Sequence, residues 1–225
     1  MKRTAPGGTR VYRQQARAAA AEDTSRRIIG ALMECNSERW FDDITLDEVA
    51  QRAGVTKQTV IRRFKSKEGL LAALIKVIPS QIRTQREVAP GDVDAAIERV
   101  FDLYEGLGDA VIRNLAQESR FAALRSLIEL GRREHRMITA NNFAPHLSHL
   151  RKQQQQRAID ALVIATDVYT WKLLRRDMRR TRPEATVVMA GLVRGVLTQF
   201  AGADVGTGIG IGTGAGVAAG NKGRT

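Results

Sequence analysis

One short stretch of the chain has the residue types needed to bind a polyanion. Residues 54–64, GVTKQTVIRRF, carry three cationic side chains and no acid. In a helix, at about 100° per residue, Val60 and Phe64 fall on one side while Gln58 and Arg62 point away from it. Apolar residues on one face can hold such a helix against a core, which leaves the polar face free to contact a partner. The stretch therefore predicts a surface helix that binds a polyanion.

The side chains of this face suit double-stranded DNA, whose major groove admits one helix. Gln58 offers the donor and acceptor that adenine requires, and Ile61 can pack on a thymine methyl group. Arg62 and Arg63 can pair with guanine or phosphate, and Thr59 suits either a base or the backbone. The alternative is a solvated basic face on a helical bundle. The predicted DNA-contacting residues are Thr45, Thr56, Lys57, Gln58, Thr59, Ile61, Arg62, Arg63 and Lys67.

Capping residues on both sides of Gly54 predict the helices that would position this face. In ITLDEVAQRAG, Thr45 can cap a helix whose third residue is Glu48, which is the spacing of a reciprocal capping box. Gly54 suits the left-handed turn that ends a helix. Thr56 can then cap the next helix. Two short helices joined at a glycine predict a helix-turn-helix.

The remaining chain divides into segments by composition. A polar stretch at 81–91, ending in Pro-Gly, predicts a domain boundary or a helix bend after a helix that opens at Ser66 and runs to Pro79. The first helix of the domain is predicted to end near Asn36. The predicted segments are a flexible basic arm at 1–21 that becomes helical near Gln14, a DNA-binding domain at 22–80, an effector-binding and dimerisation domain at 90–201, and a disordered Gly-rich tail at 202–225.

The second half is predicted to be helical throughout, because no strand-like alternation persists there. Candidate helices span Asp92–Leu107, Ala110–Gln117, Phe121–Thr139, Pro145–Gln156, Arg157–Arg180 and Pro183–Ala201. The expected fold class is all-α, with an N-terminal three-helix helix-turn-helix domain and a C-terminal helical bundle.

The net charge and composition of the chain favour a nucleic-acid partner and exclude some other kinds of site. The 225 residues carry a net charge of +12 at pH 7, a surplus that attracts polyanions. Cys35 is the only cysteine, so an intramolecular disulfide and a Cys-rich zinc site are excluded. His146 and His149 are spaced as possible ligands but are expected to be surface histidines, so neither a metal nor a cofactor is expected. Apolar runs such as residues 161–165 are far too short to span a bilayer, which favours a cytoplasmic, nucleoid-associated protein without a membrane partner.

The run ITLDEVAQRAGVTKQTVIRRFKSKEGLLAALI resembles the DNA-binding domain of the TetR family of bacterial transcriptional regulators, over about residues 24–78. The resemblance rests on the turn at 54–56, on Thr59 and Phe64, and on Ser-Lys-Glu at 66–68. It implies an all-α homodimer with a variable C-terminal domain that dimerises and binds a small-molecule effector. It also implies that Thr45, residues 57–63 and Lys67 contact DNA.

Two positions depart from the family pattern. Many members carry an aromatic residue, usually tyrosine, where this chain has Ile61, and that side chain commonly touches phosphate. Histidine is frequent at the position of Arg63, where a permanent cation should increase the salt dependence of DNA binding. We expect the operator preference of this chain to depend on these two residues.

The regulatory half offers candidates for an effector pocket and a dimer interface. The pocket candidates are Phe101, Tyr104, Phe121, Met137 and Trp171, each of which could instead be ordinary core. Gly191 and Gly195, four residues apart, would let another helix approach closely. The interface candidates are Ile164, Val168, Trp171, Val188, Gly191, Leu192, Gly195 and Val196, with an intramolecular core as the alternative.

The favoured function is a TetR-like repressor that binds an inverted-repeat operator as a dimer and is released by a small molecule. Repression is implied by the resemblance alone. One alternative is an architectural DNA-binding protein without an effector. Another is a helical enzyme that uses the C-terminal pocket, although no triad, carboxylate pair or metal arrangement supports catalysis. We therefore expect the chain not to be an enzyme.

Overall fold

A computed structural model describes residues 7–201, apart from the side chains of residues 7–11, 79, 81 and 82. Over this range the fold is all-α, as predicted. The helices are α1 (Gly7–Glu38), α2 (Leu46–Arg52), α3 (Lys57–Phe64), α4 (Lys67–Arg86), α5 (Val93–Gln117), α6 (Ala122–Leu147), α7 (Lys152–Ala165), α8 (Val168–Lys172) and α9 (Arg182–Ala201), with a π-helical turn (Leu173–Asp177) after α8. The predicted tail and the first six residues of the predicted arm lie outside the described range.

The helix-turn-helix packs on a small core shared by α1 to α4. Its buried side chains are Ile28, Ala31, Leu32, Cys35, Phe41, Ile44, Val49, Ala50, Ala53, Val60, Leu70, Leu71, Leu74 and Leu124. Thr45, Thr56 and Ser66 cap α2, α3 and α4, and each side-chain oxygen accepts a backbone N–H at 3.1–3.2 Å. These bonds satisfy donors that the start of a helix otherwise leaves unpaired. The predicted caps at Thr45 and Thr56 are therefore confirmed.

The reciprocal half of the predicted capping box is wrong. Glu48 does not bond back to the N-terminus of α2. Its carboxylate pairs with Arg39 at 3.1 Å and with Arg52 at 3.4 Å. Arg39 of the loop after α1 and Arg52 of α2 thus offer the carboxylate two ion pairs in place of the backbone N–H.

The predicted helix boundaries are wrong at several proline- and glycine-containing sites. α1 already begins at Gly7 rather than near Gln14, and its alanines and arginines are strong helix formers. α4 continues past Pro79 to Arg86. α6 likewise continues through Pro145, where the Gly91 N–H donates to the carbonyl of Asn142 at 2.7 Å. Pro145 itself lacks the N–H that would bond to the carbonyl of Asn141, yet the helix is not broken there.

Two further predictions of the regulatory half are corrected. α5 is one helix rather than two, because the ring of Trp171 packs directly on Gly108 and replaces solvent at the predicted break. The predicted helix Arg157–Arg180 is divided into α7, α8 and the π-helical turn. Asp167 caps α8 by accepting the Tyr169 N–H at 2.9 Å, so the chain restarts a helix there.

A second core lies in the regulatory half, and two helices connect it to the first. This core is formed by α5 to α9 around Phe101, Phe143 and Trp171. α4 begins in the first core and ends in the regulatory half, and Leu124 near the start of α6 is buried in the first core. The predicted boundary near residue 80 thus falls inside a continuous helix. None of the described helices is long and apolar enough to cross a bilayer.

Candidate DNA-contacting surface and junction cavity

Helix α3 is held in place by its buried residues and by a tight preceding turn. Val60 is fully buried, and Phe64 packs against the first core. Gly54 has a φ of +64°, a left-handed conformation that favours glycine, as predicted. Nη1 of Arg27 donates to the carbonyl of Ala53 at 2.8 Å and so fastens the turn to α1. The position of α3 is therefore set by contacts with two other helices.

The outward face of α3 presents side chains that are free to bind. Gln58 and Arg62 are exposed and form no side-chain hydrogen bond with the part of the chain that the structure describes. Ile61 lies beside them and is 40% exposed. Lys57 is exposed too, although its ammonium pairs with Asp47 at 2.7 Å. Together these side chains form a polar and basic surface with one apolar contact.

Thr45, Thr56 and Thr59 lie at the N-terminal ends of α2 and α3. The hydroxyl groups of Thr56 and Thr59 are 3.0 Å apart, and the Thr59 N–H donates to Thr56. The two helix N-termini present backbone N–H groups and partial positive charge, which suits a phosphate. The structure thus places these threonines beside the exposed face of α3.

Arg63 does not share that face. Its Nη1 donates to the Ser25 hydroxyl of α1 at 3.1 Å, and its Nε is buried without a hydrogen-bond partner among the described residues. The guanidinium therefore contacts the first helix of the same chain, a contact that a helical projection of α3 alone does not reveal. The structure does not bring Arg63 together with Gln58 and Arg62.

Lys67 is also turned inward, toward the loop that precedes α2. Its ammonium donates to the carbonyls of Phe41, Asp42 and Ile44 at 2.6, 3.2 and 2.9 Å. The same nitrogen lies 4.6 Å from the centre of the Phe41 ring. Because an ammonium has three hydrogens, these carbonyls occupy its full donor capacity. Desolvation by burial lowers the pKa of Lys67 from its ordinary value.

This geometry agrees with comparisons between the chain and known proteins. Residues 28–74, which span α2, α3 and most of the first core, match the family of bacterial regulatory proteins called the tetR family. The N-terminal part of the chain is therefore a helix-turn-helix domain of the TetR type. Domains of this type are found in DNA-binding transcriptional regulators.

Individual relatives support the assignment at two levels of coverage. An uncharacterized HTH-type transcriptional regulator of Mycobacterium tuberculosis is 26% identical over 147 residues, which cover 65% of this chain and 76% of the relative. The HTH-type transcriptional regulator BetI of Escherichia coli is 33% identical over 81 residues, or 36% of each chain.

A solved structure extends the likeness to the regulatory half of the fold. A tetR-family transcriptional regulator from Streptomyces coelicolor aligns with a TM-score of 0.62 at 18% identity, covering 81% of this chain and 83% of that one. At this identity the likeness concerns the fold.

A cavity lies where the two halves of the described chain meet. Its volume is about 750 Å³, within the usual range for small-molecule sites. The walls come from the end of α1, from α4, α5 and α6, and from the start of α8. They are mainly apolar, and the apolar lining includes Met33, Leu74, Ile78, Leu103, Leu107, Ala110, Val111, Leu115, Leu127, Ile128 and Val168.

Only one of the predicted pocket residues lines this cavity, namely Tyr104. Phe101 and Trp171 are fully buried in the second core. Phe121 packs edge-on against Phe41 with ring centres 5.3 Å apart, and Met137 is 38% exposed. The prediction relied on aromatic residues, whereas aliphatic side chains and small residues of α5 and α6 form most of the wall.

Several buried polar side chains that the prediction missed also line the cavity. Arg86, at the last turn of α4, is 3% exposed, and His135 of α6 is 7% exposed. Nη1 of Arg86 and Nδ1 of His135 are 2.7 Å apart. Asn114 of α5 is buried as well, and its Oδ1 has no partner among the described residues. Arg86 falls in the polar stretch that was predicted as a boundary, so no sequence signal marked it as a pocket residue.

The predicted interface residues divide into an exposed group and a buried group. Ile164, Val188 and Leu192 are 69%, 44% and 47% exposed, and the α-carbons of Gly191 and Gly195 face open space. Val196 is half-buried against the second core.

Val168 and Trp171 are 5% and 0% exposed, so they cannot contact a second subunit without unfolding. Their inclusion was wrong, because the break before α8 rotates these two residues into the core.

The candidate metal residues do not converge. His146 and His149 each lie within hydrogen-bonding distance of a different backbone carbonyl, that of Gly91 at 2.9 Å and that of Phe200 at 3.3 Å. Within residues 7–201 no group of three potential ligands is arranged to hold a metal ion. Cys35 is fully buried, and burial raises the pKa of its thiol.

Proposed function

We propose that this regulator binds an inverted-repeat operator as a homodimer, with α3 of each subunit in a major groove. The observation that carries the proposal is the exposed face of α3, where Gln58, Ile61 and Arg62 are available for base edges while Val60 anchors the helix. Amide, guanidinium and aliphatic groups match adenine, guanine and the thymine methyl group.

We assign the phosphate contacts to residues at the N-terminal ends of α2 and α3. Thr45, Thr56, Thr59 and Lys57 lie at the helix N-termini, where phosphate oxygens can accept backbone and side-chain hydrogen bonds. Arg63 and Lys67 point away from this surface. Arg63 holds α3 against α1, and Lys67 holds the loop before α2. We propose that both residues affect DNA binding chiefly by positioning the reading surface.

The second subunit is proposed to cover the apolar face of α7 to α9. Ile164, Val188 and Leu192 are exposed there together with Leu173 and Met178, which are 51% and 50% exposed. The glycines of α9 allow another helix to approach closely. Two recognition helices related by a two-fold axis would match half-sites about one helical turn of DNA apart.

Effector control is proposed to act through the junction cavity. α4 carries Leu70, Leu71 and Leu74 in the first core and Arg86 in the cavity wall. A ligand that binds one arrangement of α4 better than another would shift the population of subunits whose spacing fits the operator. The resulting activity is that of a repressor released by a small molecule in the cytoplasm, and no catalytic step is proposed.

The experiment that tests this function is selection of bound sites from randomised duplex DNA by the full chain. Enrichment of an inverted repeat whose arms are centred about 10 base pairs apart, or a multiple of that distance, is expected. Enrichment of a single unrepeated motif would refute the dimer, and absence of any enriched motif would refute sequence-specific regulation in favour of an architectural role.

A further inference from the structure

Arg86 differs from the other arginines of the regulatory half, because it is buried and has no carboxylate partner. Arginines on the surrounding surface form ion pairs: Arg83 with Glu134, Arg132 with Glu118, Arg136 with Asp160, Arg175 with Glu105, Arg176 with Asp109, Arg182 with Glu98 and Arg194 with Asp94. Arg86 is more buried than any of these, yet it forms no ion pair with the described residues. A buried charge without a counter-ion is strongly unfavourable unless something compensates it.

The two side chains His135 and Tyr104 do not supply a negative charge to Arg86. Nδ1 of His135, 2.7 Å from Nη1 of Arg86, must accept a hydrogen bond there, which places the ring proton on Nε2 facing the carbonyl of Val163 at 3.2 Å. His135 is therefore neutral, and burial together with Arg86 lowers its pKa to about 4. Tyr104 is neutral too, since burial raises its pKa to about 12.

The guanidinium of Arg86 also keeps unused hydrogen-bonding capacity. Nε of Arg86 is buried without a hydrogen-bond partner, and only Nη1 bonds to another described side chain. Nε and Nη2 of an arginine form the edge that binds a carboxylate through two parallel hydrogen bonds. Among the described residues neither Nε nor Nη2 of Arg86 has a hydrogen-bond partner, so the guanidinium keeps donors that a carboxylate could use.

Two carboxylates, Asp102 and Asp167, line the same cavity, and neither forms an ion pair with Arg86. Asp102 pairs with Arg99 and Arg182, whereas Asp167 caps α8 by accepting the Tyr169 N–H at 2.9 Å. The apolar part of the cavity wall that α5 contributes runs from Leu103 and Leu107 to Val111 and Leu115. At 1.5 Å per residue these side chains extend over about 18 Å of helix, enough to cover an elongated ligand.

We propose that the junction cavity binds an elongated, largely apolar molecule that carries one carboxylate, with the carboxylate paired to Arg86 and the apolar body lying along α5. This inference takes the cavity as the effector site of the proposed function. The charge selection itself follows from Arg86 and does not depend on DNA binding.

The test compares three ligands of equal length that differ in charge. Octanoate, octanamide and octylammonium are titrated calorimetrically into the wild-type protein, below the concentrations at which they form micelles. Octanoate is expected to bind at least about tenfold more tightly than octanamide, because hydrogen bonds to charged groups contribute more than neutral ones. Octylammonium is expected to bind more weakly than either. Failure of octanoate to bind, or equal affinity for octanamide, would overturn the proposal.

Variants at Arg86 separate a direct charge contact from a general effect on the cavity. Arg86→Met should abolish the preference for octanoate over octanamide, and Arg86→Lys should retain a reduced preference. Arg132→Met is the matched control, because Arg132 also lines the cavity but is paired with Glu118 at 2.7 Å. It should keep the wild-type preference. Loss of the preference in Arg132→Met, or its survival in Arg86→Met, would contradict the assignment of the carboxylate to Arg86.

Site selection from randomised DNA is run on the same wild-type preparation. An enriched inverted repeat without octanoate binding would leave the regulator proposal standing and refute the ligand class. Octanoate selectivity without an enriched DNA site would leave the ligand class standing and refute the regulator proposal. The two failures are therefore distinguishable.

Discussion

Replacing Lys67 with methionine tests whether this residue holds a loop or binds a phosphate. The ammonium donates to three carbonyls between residues 41 and 44 and lies over the Phe41 ring. Hydrogen bonds to a charged group contribute about 1.5–3 kcal/mol each. The Asp42 carbonyl is exposed, and that of Phe41 also accepts from the Ile44 N–H at 3.3 Å, so much of this bonding can be replaced.

The expected loss is therefore close to one such bond plus a partly buried cation–π contact. We expect Lys67→Met to lower the free energy of unfolding by about 2–3 kcal/mol. Urea denaturation followed by circular dichroism measures this loss. Methionine keeps most of the apolar stem of lysine, so the change reports mainly on the ammonium.

The second readout is the salt dependence of binding to the selected operator. If Lys67 bound a phosphate, its removal would reduce the slope of log K against log salt by about 0.9 for each half-site. Because its donors are used within the subunit, we expect the slope of Lys67→Met to equal that of the wild type. A reduced slope with unchanged stability would refute this reasoning.

The matched control is Arg62→Met, which removes a cation from the exposed face of α3. Arg62 has no side-chain partner within the described part of the chain. Its replacement should change the free energy of unfolding by no more than about 0.5 kcal/mol. It should also reduce the salt slope, so the two variants are expected to give opposite patterns.

Three further substitutions test the packing, the titration and the interface. Gly108→Ala should lower the free energy of unfolding by about 1–3 kcal/mol, because the added Cβ would clash with the Trp171 ring. Gly106→Ala, whose added Cβ meets nothing within 4 Å, should be neutral or stabilising in urea denaturation. The pKa of His135 is about 4 in the folded chain and ordinarily 6.5. The contribution of neutral His135 to the free energy of unfolding is therefore complete above pH 6.5 and is lost as the pH falls toward 4. Between pH 6.5 and pH 4 the wild type should therefore lose up to about 3 kcal/mol more free energy of unfolding than His135→Asn. Urea denaturation at each pH measures this difference, and an equal loss in both proteins would contradict the prediction. Leu192→Glu should convert a sedimenting dimer into a folded monomer, whereas an unchanged sedimentation coefficient would locate the interface elsewhere.

Local sequence signals predicted the parts of the fold that depend on neighbouring residues. The caps at Thr45 and Thr56 and the left-handed turn at Gly54 each involve bonds within a few residues, which the order of residue types determines. The same is true of the inward direction of Val60. For this reason the helix-turn-helix and the family could be predicted.

Contacts between distant segments were not predictable in this way. Lys67 bonds to a loop about 25 residues earlier, and Arg63 bonds to Ser25 of α1. Both looked available for DNA, because a helical projection contains no information about other elements. The cavity residues Arg86 and His135 are 49 positions apart and meet only after α4 packs against α6.

The measurement that tests the central claim most directly is site selection with the wild type and Gln58→Ala in parallel. Gln58 is exposed on α3 and free to contact a base. The account predicts that the wild type enriches an inverted repeat and that the variant enriches the same repeat with base preference lost at one symmetric pair of positions. Identical base preferences for both proteins at every position would contradict the claim that this face of α3 reads DNA.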